Sequence, residues 1–272
     1  ILDSLNITYN KNNKEILEGK ELDIYIPSHN LAIEFNGLYW HSELFKDQSY
    51  HLNKTIECGN KGIQLLHIFE DDLLYKEEIV KSIILNKLGL ISNKIHARKC
   101  IIKEVDPSVA IKFLDKNHIQ GGCNSTYKIG LYHNDELVSL MTFGYRHTNS
   151  KKEFELIRFC NKINTNVIGS SSKLFKYFLN NYNTEESTII SYSDLSLFDG
   201  KMYDTLGFKY KHLSKPNYFW VVDGLRNHRF KYNKQNLIKE GFDSSKTEVE
   251  IMHDRGYYRI YGCGQVRWEY KI

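Results

Sequence analysis

Cysteine is scarce and scattered in this chain of 272 residues: Cys58, Cys100, Cys123, Cys160 and Cys263, with no CxxC spacing anywhere. An odd count without close pairs argues against a disulfide framework or a zinc knuckle and predicts a reducing, intracellular setting. Long apolar runs are lacking as well. None approaches the roughly 18 residues that cross a bilayer, and the amino end shows no basic-then-apolar leader, so no membrane partner is expected. An excess of one charge is also missing. The net charge is +4 and the pI about 8.6, so attraction to a polyanion must come from local clustering. There is no internal repeat, and no initiating methionine precedes Ile1, which reads as a fragment whose upstream part is missing. What remains is the composition of a folded protein, 41% hydrophobic and 26% charged, long enough for one large or two ordinary domains.

Periodicity places the elements. LDIYI (22–26) and LAIEF (31–35) are short β-branched runs joined by PSHN, which predicts a β-hairpin. Residues 49–61 have helical spacing up to Gly62, IQLLHIF (63–69) reads as a strand, and LLYKEEIVKSIILNKLG (73–89) as an amphipathic helix. The polar, basic stretch 91–100 reads as a linker. Beyond it the pattern predicts helix 107–116, strands 126–133, 136–144 and 153–160, helix 171–182, strand 188–193, helix 197–206 and strand 217–222. GYYRIYGCGQVRWEY (256–270) reads as a closing hairpin.

The hairpin carries the first chemistry. Asp23 and Glu34 lie on its two strands, and pairing would bring the carboxylates within a few ångströms. Like charges so placed repel unless a cation lies between them, which points to a hard divalent ion, Mg²⁺ or Mn²⁺, able to activate water at a phosphorus centre. Carboxylates at strand ends also read simply as solvent-facing. The chain then runs through Gly37 to Tyr39, Trp40 and His41, where an imidazole is available as a general base.

The run from Asp23 through Glu34-x-Asn36, Gly37, Trp40 and His41, with the strand KGIQLLHIFEDD downstream, resembles the very-short-patch-repair-like (Vsr-like) endonucleases of the PD-(D/E)xK superfamily and related phage homing endonucleases. The resemblance covers about a third of the chain, roughly residues 5–90. It implies a restriction-endonuclease-like core with Asp23 and Glu34 as metal ligands and His41 as base, and Tyr39 and Trp40 against double-stranded DNA. Asn36 stands where the superfamily has lysine, leaving His41, His51 or Lys54 to supply water activation or phosphate contact. The glutamate that the family adds from a preceding helix is missing, and Glu70 is a supporting candidate that also reads as a helix-capping acid. A bacterial host cytoplasm and a phage or mobile-element origin are implied by the same resemblance.

NTNVIGSSSKLFKYF (164–178) and MYDTLGFKY (202–210) resemble the pyrophosphate loop and the Y-x-x-x-GF segment of GNAT acyltransferases. This implies a GNAT-like mixed-sheet domain, with Gly169, Ser170 and Ser171 near acetyl-CoA and Tyr203 as a general acid; reuse of the fold without catalysis is the other reading. Finally, Arg226, Arg229, Lys231 and Lys234, interleaved with Phe230 and Tyr232, suit phosphate contacts and base stacking.

The expectation is therefore an α/β (α+β) protein with an endonuclease domain (1–95), a GNAT-like domain (96–225) and a basic aromatic extension (226–272) packed on the latter. The expected activity is Mg²⁺-dependent hydrolysis of DNA phosphodiesters. The alternatives are an acyl-CoA-dependent nucleic-acid modification enzyme and a non-catalytic DNA-binding protein.

Overall fold

The turn at residues 27–30 sets the register of the first sheet. In the computed structural model, which describes residues 2–147, 150–182 and 186–272, β1 (Asn10–Leu17) pairs antiparallel with β2 (Lys20–Ile26). Strand β2 pairs in turn with β3 (Leu31–Asn36), Ile24 opposite Ile33 and Ile26 opposite Leu31. The connection is a 3-10 turn over Pro27–His29 closed by Asn30 at φ 46°, a left-handed conformation that asparagine tolerates better than most residues. Helix α1 (Tyr50–Asn60) crosses over and returns the chain as β4 (Gln64–Phe69), parallel to β3. A parallel pair requires such a crossover. The sheet order is β1-β2-β3-β4, and Ala32, Leu65 and Cys58 bury their side chains with Leu17, Leu22 and Ile63. The expected hairpin, helix and strand all form within two residues of their predicted limits.

The helix expected over 73–89 is two helices, α2 (Glu70–Tyr75) and α3 (Glu77–Lys87), because Lys76 leaves the helical region at φ −135° and ψ 32°. That interruption is also a boundary. One compact unit comprises Ile1–Tyr75, Asp194–Asp199 and Ser214–Gln265; the other comprises Lys76–Ser193, Gly200–Leu213 and Val266–Ile272. The expected limits at 95/96 and 225/226 do not coincide with this division. Residues 226–265, expected on the GNAT-like domain, group instead with the amino-terminal core.

In the second unit, the expected linker is structured: β5 (Asn93–His96), a 3-10 turn and β6 (Ile101–Glu104). There follow α4 (Pro107–Asn117), β7 (Tyr127–His133), β8 (Glu136–His147), β9 (Ser150–Asn161), β10 (Thr165–Ile168), α5 (Ser170–Asn181), β11 (Thr188–Asp194), α6 (Lys201–Leu206) and β12 (Lys209–Leu213). Helix α4 starts where the sequence signals it, with Asp106 capping the Ser108 N–H and Pro107 in the first turn. Helix α6 begins four residues later than expected, after Gly200 at φ 81°. Strands β10 and β12 carry no clear period, and the sequence set no limits for either. Strand β10 pairs parallel with β5 in a separate two-stranded sheet.

The chain then contributes β13 (Tyr218–Val222), β14 (Leu225–His228), α7 (Lys234–Lys239), α8 (Glu248–Asp254) and β15 (Tyr258–Tyr261) to the first unit, and ends in β16 (Gln265–Lys271). The predicted closing hairpin over 256–270 does not form. Strand β15 pairs with β13 in the sheet β14-β13-β15, whereas β16 lies in the seven-stranded sheet β12-β16-β11-β9-β8-β7-β6. Alternation marks both strands but is silent on partners. Val221 and Ile260 are buried with Leu38 and Phe69, so the late segment shares an apolar core with the end of β4. The seven-stranded sheet is mixed, with β9 and β11 parallel, and its core includes Phe143, Phe154, Phe178 and Trp268. Among the described residues no helix is long and apolar enough to cross a membrane.

Candidate active site

Strand β3 presents Ala32, Glu34 and Asn36 on one face by simple alternation, and β4 adds His67 opposite Glu34 and Phe69 opposite Asn36. Helix α1 carries His51, Lys54 and Thr55, and the turn after β3 carries His41. Glu34, Asn36, His51, Lys54 and His67 are all buried.

The tautomers follow from the fixed ends of the hydrogen-bond chain. Tyr261 offers its carbonyl, an acceptor only, so His51 donates from Nδ1 to it at 2.8 Å. In a neutral ring Nε2 of His51 then accepts, and His41 donates to it from Nδ1 at 3.1 Å. Nε2 of His41 is thereby left with its lone pair. Burial, with the charges of Lys46 and Lys54 nearby, pushes His41 down to about 4, and burial with His41 alongside pushes His51 down to about 3. Both rings are neutral at pH 7, and the two lie stacked, 5.4 Å between centroids.

A second chain fixes Asn36. Thr55 donates its hydroxyl to the His51 carbonyl at 2.9 Å, so it accepts from His67 Nε2 at 2.9 Å. His67 Nδ1 must then accept, and Asn36 donates to it from Nδ2 at 3.1 Å. The amide orientation is set by this network, and Asn36 Oδ1 is left buried with no partner. Glu34 shares that condition: Lys54 Nζ donates to Oε1 in a buried ion pair, while Oε2 has no partner. Each unpaired buried polar atom costs on the order of 1–3 kcal/mol, and here two of them sit two residues apart on one strand face. Burial raises Glu34 to about 6, with Lys54 pulling it back down, so it is ionised at pH 7.

Asp23 accepts the Phe35 N–H at 2.7 Å, and its charge is felt at Glu34, so the structure brings together the two predicted carboxylates. Lys54 reaches Glu34 from α1 and pairs with it in the interior. Glu70 is placed otherwise: its Oε2 accepts the Leu38 N–H at 2.9 Å, bracing the turn that delivers His41. Tyr39 and Trp40 are exposed, Trp40 at 66%, and form an aromatic cluster with Phe45.

The basic residues of the late segment divide. Arg226 is not available to phosphate, since its guanidinium pairs with Asp71 and Asp72 and lies 4.0 Å from the Phe69 ring centroid. Arg226→Ala should therefore cost about 2–3 kcal/mol in urea melts through the stranded Asp71. Arg229 is half-buried over Tyr218 and Phe230, whereas Lys231 and Lys234 are exposed.

In the second unit, Tyr203 is buried, with its hydroxyl against Ser191 Oγ at 2.8 Å and its ring stacked on Trp268. Burial pushes that phenol up to about 12. It ties α6 to β11, and as placed it is a core residue rather than an accessible acid. Gly169 caps α5 at φ 79°, but Ser170 donates to Asn161 Oδ1 and Lys173 to the carbonyls of Ala97 and Cys100.

Sequence reasoning missed His67, Thr55 and the Tyr261 carbonyl. A histidine inside the apolar run IQLLHIF was the one available signal; the carbonyl, 210 residues from its partner, had none.

No family model matches the chain, and no curated protein matches it. Among solved structures, it is similar to the catalytic domain of the homing endonuclease I-Bth0305I, at 31% identity over 34% of this chain and 89% of that one, with a TM-score of 0.27. It is also similar to a Bacillus subtilis acetyltransferase in complex with CoA, at 13% identity over 64% of this chain and 99% of that one, TM-score 0.38. A GNAT family acetyltransferase from Elizabethkingia anophelis with acetyl-CoA bound aligns at 11% identity over 64% and 99% of the two chains, TM-score 0.38.

Proposed function

We propose that the first unit is a Mg²⁺-dependent DNA endonuclease centre in which His41 activates water. The observation that carries this reading is the relay from the Tyr261 carbonyl through His51 to His41, which holds His41 neutral with Nε2 as its free base. Histidine so held can take a proton from water at neutral pH, and its Nδ1–H bond to His51 survives the transfer.

The donor set suits a hard cation. Mg²⁺ is commonly held by one or two carboxylates with waters completing the shell, and Asp23, Glu34 Oε2 and the unpartnered Asn36 Oδ1 are all oxygens. Asp23 and Glu34 would hold it, with Asn36 beside them; when bound, the ion supplies positive charge against the negative charge that builds on the phosphate. Lys54 keeps Glu34 ionised and in place. The exposed rings of Tyr39 and Trp40 offer stacking surfaces to double-stranded DNA, and Lys231 and Lys234 offer phosphate contacts.

The test is conversion of supercoiled plasmid to nicked or linear forms with Mg²⁺ or Mn²⁺, stopped by chelator. No conversion of matched or mismatched DNA with either ion would overturn the assignment. The pH profile adds a check. Glu34 loses its proton near pH 6 whereas His41 is neutral down to about 4, so cleavage should fall as pH drops through about 6 because Glu34 protonates. Raising Mg²⁺ should move that limb to lower pH, since the ion binds the deprotonated carboxylate; a limb insensitive to Mg²⁺ would assign it elsewhere.

A second reading, acyl-CoA-dependent modification of nucleic acid, is favoured by α5 starting at a left-handed Gly169 with Ser171 in its first turn. The buried Tyr203 counts against it. Micromolar acetyl-CoA binding by calorimetry, with no divalent-dependent cleavage, would favour it over the nuclease.

A further inference from the structure

Backbone groups of an antiparallel strand alternate between its two edges, so Arg259 and Tyr261 on β15 turn theirs to the same edge. On that edge the Tyr261 carbonyl accepts from His51 at 2.8 Å, and the Arg259 carbonyl accepts the Glu43 N–H at 2.8 Å. Ser42 and Ile260 between them form an antiparallel bridge, a register in which His41 falls beside Tyr261. The two ends of the histidine relay, the His41 ring and the Tyr261 carbonyl, therefore lie within two residues of one pair, Glu43 and Arg259.

That pair is tied several times over. Arg259 donates its N–H to Glu43 Oε1 and its Nε to Oε2, each at 2.7 Å, and Nη2 lies 2.6 Å from the same Oε2. His253 on α8 donates from Nε2 to Oε1 at 3.0 Å, since an ionised carboxylate only accepts. Burial would raise the Glu43 carboxyl, but the bonds from Arg259 and His253 hold it below the usual carboxylate range, so it is ionised at pH 7. The guanidinium also lies 5.3 Å from the Tyr218 ring centroid and 5.9 Å from that of Trp220. Those two rings are fixed in turn by donating to Glu248 Oε1 at 2.8 and 2.9 Å.

A solvent-exposed ion pair contributes little and holds little in place. The Glu43 side chain is only 13% exposed, and a forked arginine pair sets geometry as well as charge. Glu70 braces the start of the His41 turn through the Leu38 N–H; Glu43 braces its end. We propose that Glu43 and Arg259 are positioning residues of the nuclease centre: their clamp holds the Tyr261 carbonyl on His51, and so keeps the proton of His41 on Nδ1 and its lone pair on Nε2. The proposal rests on the reading of His41 as the base, so its test has one arm that does not depend on cleavage.

That arm is long-range proton–nitrogen NMR of the full chain with isotope-labelled histidine, with signals assigned from His41→Ala and His51→Ala. In the parent, His41 and His51 should carry their protons on Nδ1, whereas His67, which donates to Thr55, carries its own on Nε2. Arg259→Leu should leave His41 and His51 in mixed tautomers and His67 as in the parent. It should also lower the nicking rate at saturating DNA by about 10–100-fold, with KM for DNA unchanged. Arg259→Lys keeps the charge without the fork and should fall between. If Arg259→Leu does not fold, Glu43→Gln gives the same comparison, because it leaves one acceptor where two are used. Arg226→Ala breaks a different enclosed ion pair and should leave the tautomers of His41 and His51 as they are. Unchanged tautomers in Arg259→Leu and Glu43→Gln, equal mixing in Arg226→Ala, or parental nicking despite mixed tautomers would overturn the proposal. A parent with the expected tautomers that nicks no DNA would overturn the nuclease reading, while the tautomer comparison still decides whether the clamp sets the relay.

Discussion

His41→Ala is expected to lower the rate of plasmid nicking by about 10²–10⁴-fold, the usual contribution of a positioned general base, with DNA affinity nearly unchanged. The side chain is half-buried and its one hydrogen bond is to His51, so the loss is in chemistry rather than in folding, and a melting curve close to that of the parent would establish this. His51→Ala should show a smaller loss, because His51 does not touch the substrate and acts only by fixing which nitrogen of His41 bears the proton. If His41→Ala nicks DNA at the parental rate, the base is another group and the relay is only structural.

Lys54→Ala should be the most destabilising single change in the first unit. Lys54 and Glu34 are both buried, and Glu34 Oε2 already has no partner. Removing the ammonium strands a carboxylate in the interior, for which about 3–5 kcal/mol is typical, a large share of the roughly 5–15 kcal/mol that holds a domain together. Urea melts would read it directly. Activity should be lost as well, so the informative companion is the double variant Glu34→Leu/Lys54→Met. Replacing both partners by apolar groups of similar volume is often neutral for stability, so this variant should recover most of the melting midpoint while remaining unable to nick DNA. Recovery of both would remove Glu34 and Lys54 from the reaction; recovery of neither would point to damage beyond the ion pair.

The hairpin, the crossover helix α1 and strand β4 were legible because each has a clean period and a recognisable turn: Pro27 and Asn30 between β2 and β3, and Gly62 after α1. Asp23, Glu34 and His41 were legible because carboxylates interrupt apolar runs. Lys54 was named only as one of several substitutes for the cation missing at Asn36. Its selection depends on α1 packing across β3, which no local pattern contains. The late segment was misread for the same reason: alternation in 256–270 identified two strands, but β15 and β16 pair in different sheets, and the residue that completes the histidine relay is on the first of them.

The sequence by itself determined the local elements, their polarity and the presence of acid, base and cation in the amino-terminal third, since these depend on side-chain chemistry and on periods of 2 and 3.6. Only the tertiary structure decided that Lys54 neutralises Glu34, that Arg226 is consumed by Asp71 and Asp72, that Tyr203 is core, and that a carbonyl from Tyr261 orients His51. These are contacts between residues from 12 to 210 positions apart, and they are fixed by which faces of helix and sheet exclude water together, a property of the packed chain and not of any segment of it.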